Sequence, residues 1–175
     1  MQADKKKRRR IEIAAYHEAG HAVMAVLTRT PLRDTTIVAS RLGASSGATR
    51  LERSRVSERR AAKAKLGPRG HRQILGRACF DIAGEIAARR FAPSSWRTLH
   101  SRSDLANLSG LLDTLGLSEV RLKALAKAIV TTADSLIEAN WARVEAVASE
   151  LLKRGTLTGA QVRQIVARRL PSRPS

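Results

Sequence analysis

Apolar residues recur every three or four positions through most of this chain, a spacing that places them along one face of an α-helix. The spacing is clearest over residues 11–29, and Pro31 lies just beyond its end. Its apolar stripe consists of Ile11, Ala15, Ala19, Ala22, Val23, Val26 and Leu27. Aromatic residues make up only 3% of the sequence, while Ala and Leu recur among Lys and Arg, a mixture that favours helices. The sequence therefore predicts a mainly α protein.

Four later segments have features of helices. Residues 71–91 are closed by Pro93, and residues 104–115 end at Gly116. Residues 118–155 contain one long helical pattern or two, ended by Gly155. Thr158 can cap a last short helix over residues 159–170.

One part of the chain has a strand pattern instead. Residues 35–39 are short and rich in β-branched side chains, and residues 48–51 could pair with them after a turn that contains Gly43 and Gly47. Residues 53–65 are strongly basic and favour a helix or a loop. The predicted fold class is therefore mainly α (α+β), a helical bundle with a small β ribbon or sheet near the first helix.

The length of 175 residues suits one domain with a buried core. Residues 1–10 hold six basic side chains against Asp4, and like charges repel, so we expect a disordered basic arm there. The folded domain is predicted over residues 11–170, followed by a frayed tail over residues 171–175.

The net charge of +18 is spread along the chain. Such a field attracts nucleic acid, anionic lipid or acidic proteins at low salt, although a solvated basic surface without a partner explains it equally. The single cysteine, Cys79, rules out an internal disulfide, and its apolar neighbours predict a buried side chain. No segment reaches the roughly 18 apolar residues of a membrane span, so we expect a cytoplasmic protein.

The segment His17-Glu18-Ala19-Gly20-His21 matches the H-E-x-x-H pattern inside the first predicted helix. Residues four apart lie on the same helix face, so two imidazoles can converge on one Zn²⁺ ion. Glu18 is rotated by about 100° from His17, which lets it reach a water at the metal without being a ligand. The motif predicts a zinc site in which Glu18 takes a proton from the attacking water.

A catalytic zinc usually takes three protein ligands. The third ligand must come from elsewhere in the chain, and composition does not choose among the candidates. Asp104 fits because the first turn of a helix keeps a carboxylate ionised, although simple helix capping would explain it as well. The candidates are His71, Glu85, His100, Asp104 and Asp113.

The residues around this motif resemble a known family, the FtsH-type zinc metallopeptidases (M41). Ala15 to Val23 is similar to the family's Y-H-E-A-G-H-A core. The similarity continues in order from about Ile11 to Leu170. Its further parts are Thr35 to Val38 with Gly47 to Thr49 (V-T-I and L-G-Y-T), Ile82-Ala83-Gly84 with Ala87 (A-G-G-R-A-A-E), Asp104-Leu105 with Leu115 to Ser118 (S-N-D-L and G-M-S), and Ala148 to Gly159 (A-x-x-L-L-x-x-E-T-L-x-G).

The resemblance implies a mainly helical peptidase with a small sheet. It implies His17, His21 and Asp104 as zinc ligands and Glu18 as the catalytic base. It also implies that extended substrate pairs with the edge of the strand formed by Thr36, Ile37, Val38 and Ala39.

The sequence departs from the family at three places. The family's glutamate pair falls on Ala88 and Arg89, and Ser101-Arg102-Ser103 stands where a glycine usually precedes the Asp segment. The chain also contains no G-x-x-x-x-G-K-[ST] loop, and we expect it not to hydrolyse ATP itself. An unfoldase partner would then be needed for folded substrates, and the resemblance allows a homo-oligomeric ring.

Three hypotheses follow. The first is a zinc endopeptidase that cuts unfolded or flexible proteins without its own ATPase. The second is a binding or regulatory protein of the same fold whose basic surface holds nucleic acid or an acidic partner. The third is a non-catalytic assembly partner of a full-length protease.

Overall fold

The computed structural model describes residues 2–38, 47–52, 68–94, 108–112 and 115–168, with the side chains of residue 3 and residues 68–71 left aside. These residues form five long or medium helices and three short strands, besides a helical segment at residues 108–112. In chain order the elements are α1 (Gln2–Leu27), β1 (Leu32–Thr36), β2 (Ala48–Leu51), α2 (Pro68–Phe91), α3 (Glu119–Ala139), α4 (Trp141–Arg154), β3 (Thr156–Thr158) and α5 (Gly159–Ala167). The prediction of a mainly α fold with a small sheet is confirmed.

Helix α1 is the centre of the fold, since it contacts the four other helices, β1 and β2. Its neighbour α2 runs antiparallel to it, because Thr28 lies beside Gly76 while Gly20 lies beside Ala83 and Ala87. The two helices meet through small side chains: Ala15, Ala19, Ala83 and Ala87 are all fully buried. A Cβ atom on Gly20 would lie 2.5 Å from the Ala83 carbonyl oxygen and 2.6 Å from the Ala87 Cβ. Small residues therefore allow a close helix contact.

The sheet has the strand order β2-β1-β3, and both pairings are antiparallel. The predicted pairing of residues 48–51 with the preceding strand is confirmed, but that strand spans Leu32–Thr36 and not residues 35–39. The third strand, Thr156–Thr158, was not predicted, because its three residues read as a helix break and a cap. Thr158 does cap α5, with a reciprocal bond to Gln161.

The prediction of a disordered arm over residues 1–10 is wrong for residues 2–10, which form the first turns of α1. Lys and Arg are good helix formers, and two ion pairs along the helix, Arg8–Asp4 at 3.5 Å and Arg9–Glu12 at 3.2 Å, reduce the repulsion. The Arg9 guanidinium also lies 4.4 Å from the centre of the Phe91 ring. The predicted tail, residues 171–175, and the basic segment, residues 53–65, lie outside the described residues.

Two smaller expectations are also decided. Residues 118–155 form two helices, α3 and α4, which are separated by Asn140. Cys79 is buried as predicted, and this burial raises the pKa of its thiol. Within the described part of the chain, none of the helices has the length and apolar character needed to cross a membrane.

We predict that Gly20→Ala destabilises the protein, because its new methyl group would overlap the backbone of α2. Overpacking of this kind costs about 1–3 kcal/mol in the free energy of unfolding, measured by urea denaturation. The control is Gly110→Ala, whose Cβ would meet nothing within 4 Å and which should stabilise by up to about 1 kcal/mol. Equal effects of the two substitutions would contradict the close contact.

Candidate metal centre

His17 and His21 lie one turn apart on α1 and turn the same ring nitrogen towards each other. Their Nε2 atoms are 3.1 Å apart, and the two residues are only 4% and 5% exposed. The rings are nearly perpendicular, with an interplanar angle of 78°. The structure therefore brings the two predicted ligands together as the helical spacing required.

The orientation of His21 is fixed from the other side of its ring. Its Nδ1 atom lies 2.7 Å from the main-chain oxygen of Phe80 on α2. A carbonyl oxygen only accepts hydrogen bonds, so Nδ1 must carry the hydrogen and donate it. In the neutral ring the lone pair is then on Nε2, which faces His17. This is the arrangement in which protein histidines usually bind a metal.

Gly84 on α2 provides the space for the two rings. A Cβ atom at this position would overlap His21 Nε2, and it would lie 2.5 Å from His21 Cδ2 and 2.8 Å from His17 Cε1. Any other residue would push the imidazoles out of place. In the sequence, Gly84 was recognised only as part of a segment that resembles the family, and no role was assigned to it.

The pair fits a zinc ion. In a tetrahedral site with Zn–N bonds of about 2.0–2.1 Å, two nitrogens are roughly 3.3–3.4 Å apart, close to the separation seen here. Two buried neutral imidazoles are also a donor set that zinc prefers. The two histidines therefore fit zinc and would supply two of its ligands.

The third ligand stays a prediction. Asp104, His100 and Asp113 lie outside the described residues, as does the side chain of His71. Glu85 is described, on α2 beside Gly84, and it is half-buried. Among the residues that the structure covers, no group of three or more His, Cys, Asp or Glu side chains is arranged to hold a metal ion. None of the covered side chains thus completes the site with His17 and His21.

Glu18 faces the sheet and is only 4% exposed. Its Oε2 atom accepts a hydrogen bond of 2.7 Å from the Thr49 hydroxyl on β2. The Thr49 hydroxyl has one hydrogen, so the buried Thr35 hydroxyl, 2.7 Å away, donates to Thr49 in turn. Two threonines on neighbouring strands thus orient the carboxylate. Sequence reasoning did not identify either role, because the contacts join positions far apart in the chain.

Gly47 brings the backbone beside β2 close to the same carboxylate. A Cβ atom there would lie 2.8 Å from Glu18 Oε1 and 3.0 Å from the Thr36 carbonyl oxygen. Any larger residue would displace Glu18 or the strand. Gly47 therefore leaves space for the Glu18 carboxylate, as Gly84 leaves space for the two histidine rings.

The prediction of substrate pairing along Thr36 to Ala39 needs correction. β1 is the central strand, and Thr36 is paired with Ala48 on one side and with Thr156 on the other. The Ile37 amide donates to the Gly155 carbonyl oxygen at 2.9 Å, and Val38, 61% exposed, lies beyond the strand. Ala39 lies outside the described residues. An extended chain therefore cannot pair with β1 at Thr36.

The two positions where the resemblance places glutamates have other roles. Ala88 is buried and packs with Ile13 and Ala92, while Arg89 is exposed. The buried acid of α2 is Asp81, which is 2% exposed and forms a 2.8 Å ion pair with Arg77. It follows Phe80, whose carbonyl oxygen orients His21. The buried acid of this helix therefore lies seven and eight positions before the two that the resemblance indicated.

Comparison with protein-family models and with curated proteins finds no match for this chain. The assignment to a class of protein therefore depends on the motif residues and on the geometry described above.

We predict that Gly84→Ala abolishes zinc binding, because the added methyl group would occupy the position of His21 Nε2. The measurement is zinc content after purification by metal analysis, together with circular dichroism to verify the fold. Gly76→Ala on the same helix is the matched control, since the nearest atom to its Cβ would be Thr28 Cβ at 3.1 Å, far from the two histidine rings. Full zinc occupancy in Gly84→Ala would show that the rings do not converge as described.

Proposed function

We propose that this chain is a zinc-dependent endopeptidase of the FtsH type. The observation that carries the proposal is the convergence of His17 and His21 in the space left by Gly84, with Glu18 of the same helix beside them. A chance H-E-x-x-H sequence would not need a glycine on another helix to make room for its rings. Nor would it need a carbonyl oxygen to fix the tautomer of His21.

In this proposal His17 and His21 hold Zn²⁺ and Asp104 is the third ligand. When bound, zinc lowers the pKa of water to about 7 and polarises a carbonyl group. Glu18 accepts the proton of the attacking water and delivers it to the amine that leaves. The Thr49 hydroxyl holds one carboxylate oxygen of Glu18, Oε2, and thereby orients the carboxylate for this transfer.

The sheet suggests how a peptide would be held. β2 carries Thr49, which contacts Glu18, and among the described strands β2 pairs only with β1. Its second edge is therefore the place nearest Glu18 where an extended chain can add main-chain hydrogen bonds. Recognition of this kind depends on the backbone, so the proposed substrate is any unfolded or flexible protein.

We also propose which partners this protein has and where in the cell it is located. The sequence contains no phosphate-binding G-x-x-x-x-G-K-[ST] loop, so cleavage of folded proteins would require an ATPase partner. A homo-oligomer of the family's type is part of the same proposal. A reducing, cytoplasmic location agrees with a lone, buried cysteine.

The test of the proposed function is cleavage of fluorogenic casein by the wild type and by Glu18→Gln, with zinc measured in both. We expect cleavage by the wild type only, at equal zinc content, because the amide keeps the shape of Glu18 but cannot accept the proton. A chelator should abolish the wild-type activity. Zinc without cleavage in either protein would instead favour a binding or regulatory role, and absence of zinc in both would contradict the site itself.

A second prediction concerns Thr49. Thr49→Val keeps the size of the side chain but removes the hydroxyl that orients Glu18, so kcat should fall by about tenfold or more while KM and zinc content change little. Thr49→Ser keeps the hydroxyl and should restore most of kcat. If Ser and Val variants were equally impaired, the methyl packing of Thr49, and not its hydrogen bond, would be the important feature.

A further inference from the structure

Among the residues that the structure describes, the first turns of α1 extend beyond the helices that pack against it. Arg9 lies against Phe91, the last residue of α2, and Ile13 packs with Ala88 and Ala92. Since the helices are antiparallel, residues 2–8 continue past the end of α2, over a length of about 10 Å. The side chains of residues 4–10 are exposed, and that of Arg8 is 78% exposed. We call residues 2–10 the basic extension.

The basic extension carries positive charge on every side. Its basic residues are Lys5, Lys6, Lys7, Arg8, Arg9 and Arg10. At about 100° per residue these six positions leave no uncharged face of the helix. Within the extension itself the only acidic side chain is Asp4.

Arg9 attaches the extension to the described part of the body. Arg9 lies over the Phe91 ring, which stacks on Tyr16 with ring centres 3.8 Å apart. Tyr16 in turn stacks with Trp141 of α4 at 5.6 Å. Arg9 packs on this aromatic stack and Arg8 pairs with Asp4 at 3.5 Å, while the side chains of all six basic residues are exposed. The direction of the extension is thereby fixed relative to the body.

The free protein carries an electrostatic cost here. The amino-terminal end of a helix has a partial positive charge, and cations near it are unfavourable. An anionic partner would remove both this cost and the mutual repulsion of the side chains. The extension is therefore a surface suited to a polyanion.

The distribution of positive charge around the helix favours one kind of polyanion over the others. A flat anionic membrane or an acidic helix would contact only one face of the extension. Ala3 is the sole apolar residue of the extension, so the extension has no apolar face to insert into a bilayer. The major groove of B-form DNA is roughly 12 Å wide and 8.5 Å deep, it admits a helix, and it has phosphates on both sides. The corresponding groove of duplex RNA is too narrow.

We propose that the basic extension binds double-stranded DNA by entering the major groove and contacting the phosphates on both sides of it. This binding is independent of the proposed peptidase chemistry. Its specificity for sequence is low, because Lys and Arg contacts to phosphates carry no direct information about the bases.

The first experiment measures the affinity for a short labelled DNA duplex by fluorescence anisotropy over a range of salt concentrations. The variant replaces Lys5, Lys6, Lys7, Arg8 and Arg10 by Gln and keeps Arg9. Affinity at low salt should fall more than about tenfold, and the slope of log K against log salt should fall by up to about 4.5, since each of the five phosphate contacts contributes about 0.9.

The matched control removes the same charge elsewhere. It replaces five exposed basic residues of α3, α4 and α5 by Gln: Arg121, Lys123, Lys127, Lys153 and Arg163. This control should keep most of the affinity and of the salt slope. Equal losses in the two variants would mean that net charge alone attracts DNA, and would overturn the proposal.

A second pair of variants tests whether the extension must be helical. Ile11→Pro keeps every charge but breaks the helix between the extension and the body, because proline removes a main-chain donor and clashes with the preceding turn. Ile11→Ala keeps the helix. DNA affinity should fall severalfold in the first and stay unchanged in the second. Wild-type affinity in Ile11→Pro would overturn binding in the groove.

Other polyanions complete the test. Phosphatidylserine vesicles, duplex RNA and polyglutamate should each bind more weakly than duplex DNA at the same salt concentration. Equal or tighter binding of any of them would overturn the assignment to DNA. Glu18→Gln should bind DNA as the wild type does, so this result is independent of whether casein is cleaved.

Discussion

The close approach of α1 and α2 is the constraint on which the rest of the structure depends. Gly20 lets α1 touch the backbone of α2 near Ala83, and the rings of its neighbours His17 and His21 occupy the space above Gly84. The same contact brings the Phe80 carbonyl oxygen to His21. A methyl group at either glycine would separate the helices or displace the rings. Packing and the geometry of the site therefore have a common cause.

The local part of this site could be predicted from the sequence, and the part contributed by distant residues could not. His17, Glu18 and His21 lie within five positions, so the geometry of a helix alone fixes their relation. Phe80, Gly84 and Thr49 act on them from more than thirty positions away, and no periodicity links such positions. Asp104 was inferred from resemblance, and it stays a prediction.

The sheet and the basic extension show two different reasons why sequence patterns were insufficient. β3 has only three residues, too few for an alternating pattern, yet its pairing with β1 makes β1 central, so that β2 and β3 are the edge strands of the described sheet. The extension was expected to be disordered because like charges repel. This repulsion is opposed by the aromatic stack of Phe91, Tyr16 and Trp141, against which Arg9 packs, and the stack is formed only when α1, α2 and α4 are together.

One continuous helix carries both proposed activities. From Arg8 to His17 the distance along α1 is about 14 Å, and no glycine or proline interrupts the helix between them. The two regions therefore keep a fixed relative orientation, unlike regions joined by a flexible linker. A DNA duplex held by the basic extension would lie near the proposed peptidase site, close enough to bring proteins on that DNA within its reach. Catalysis by Glu18 would not depend on this contact, but the choice of substrate would.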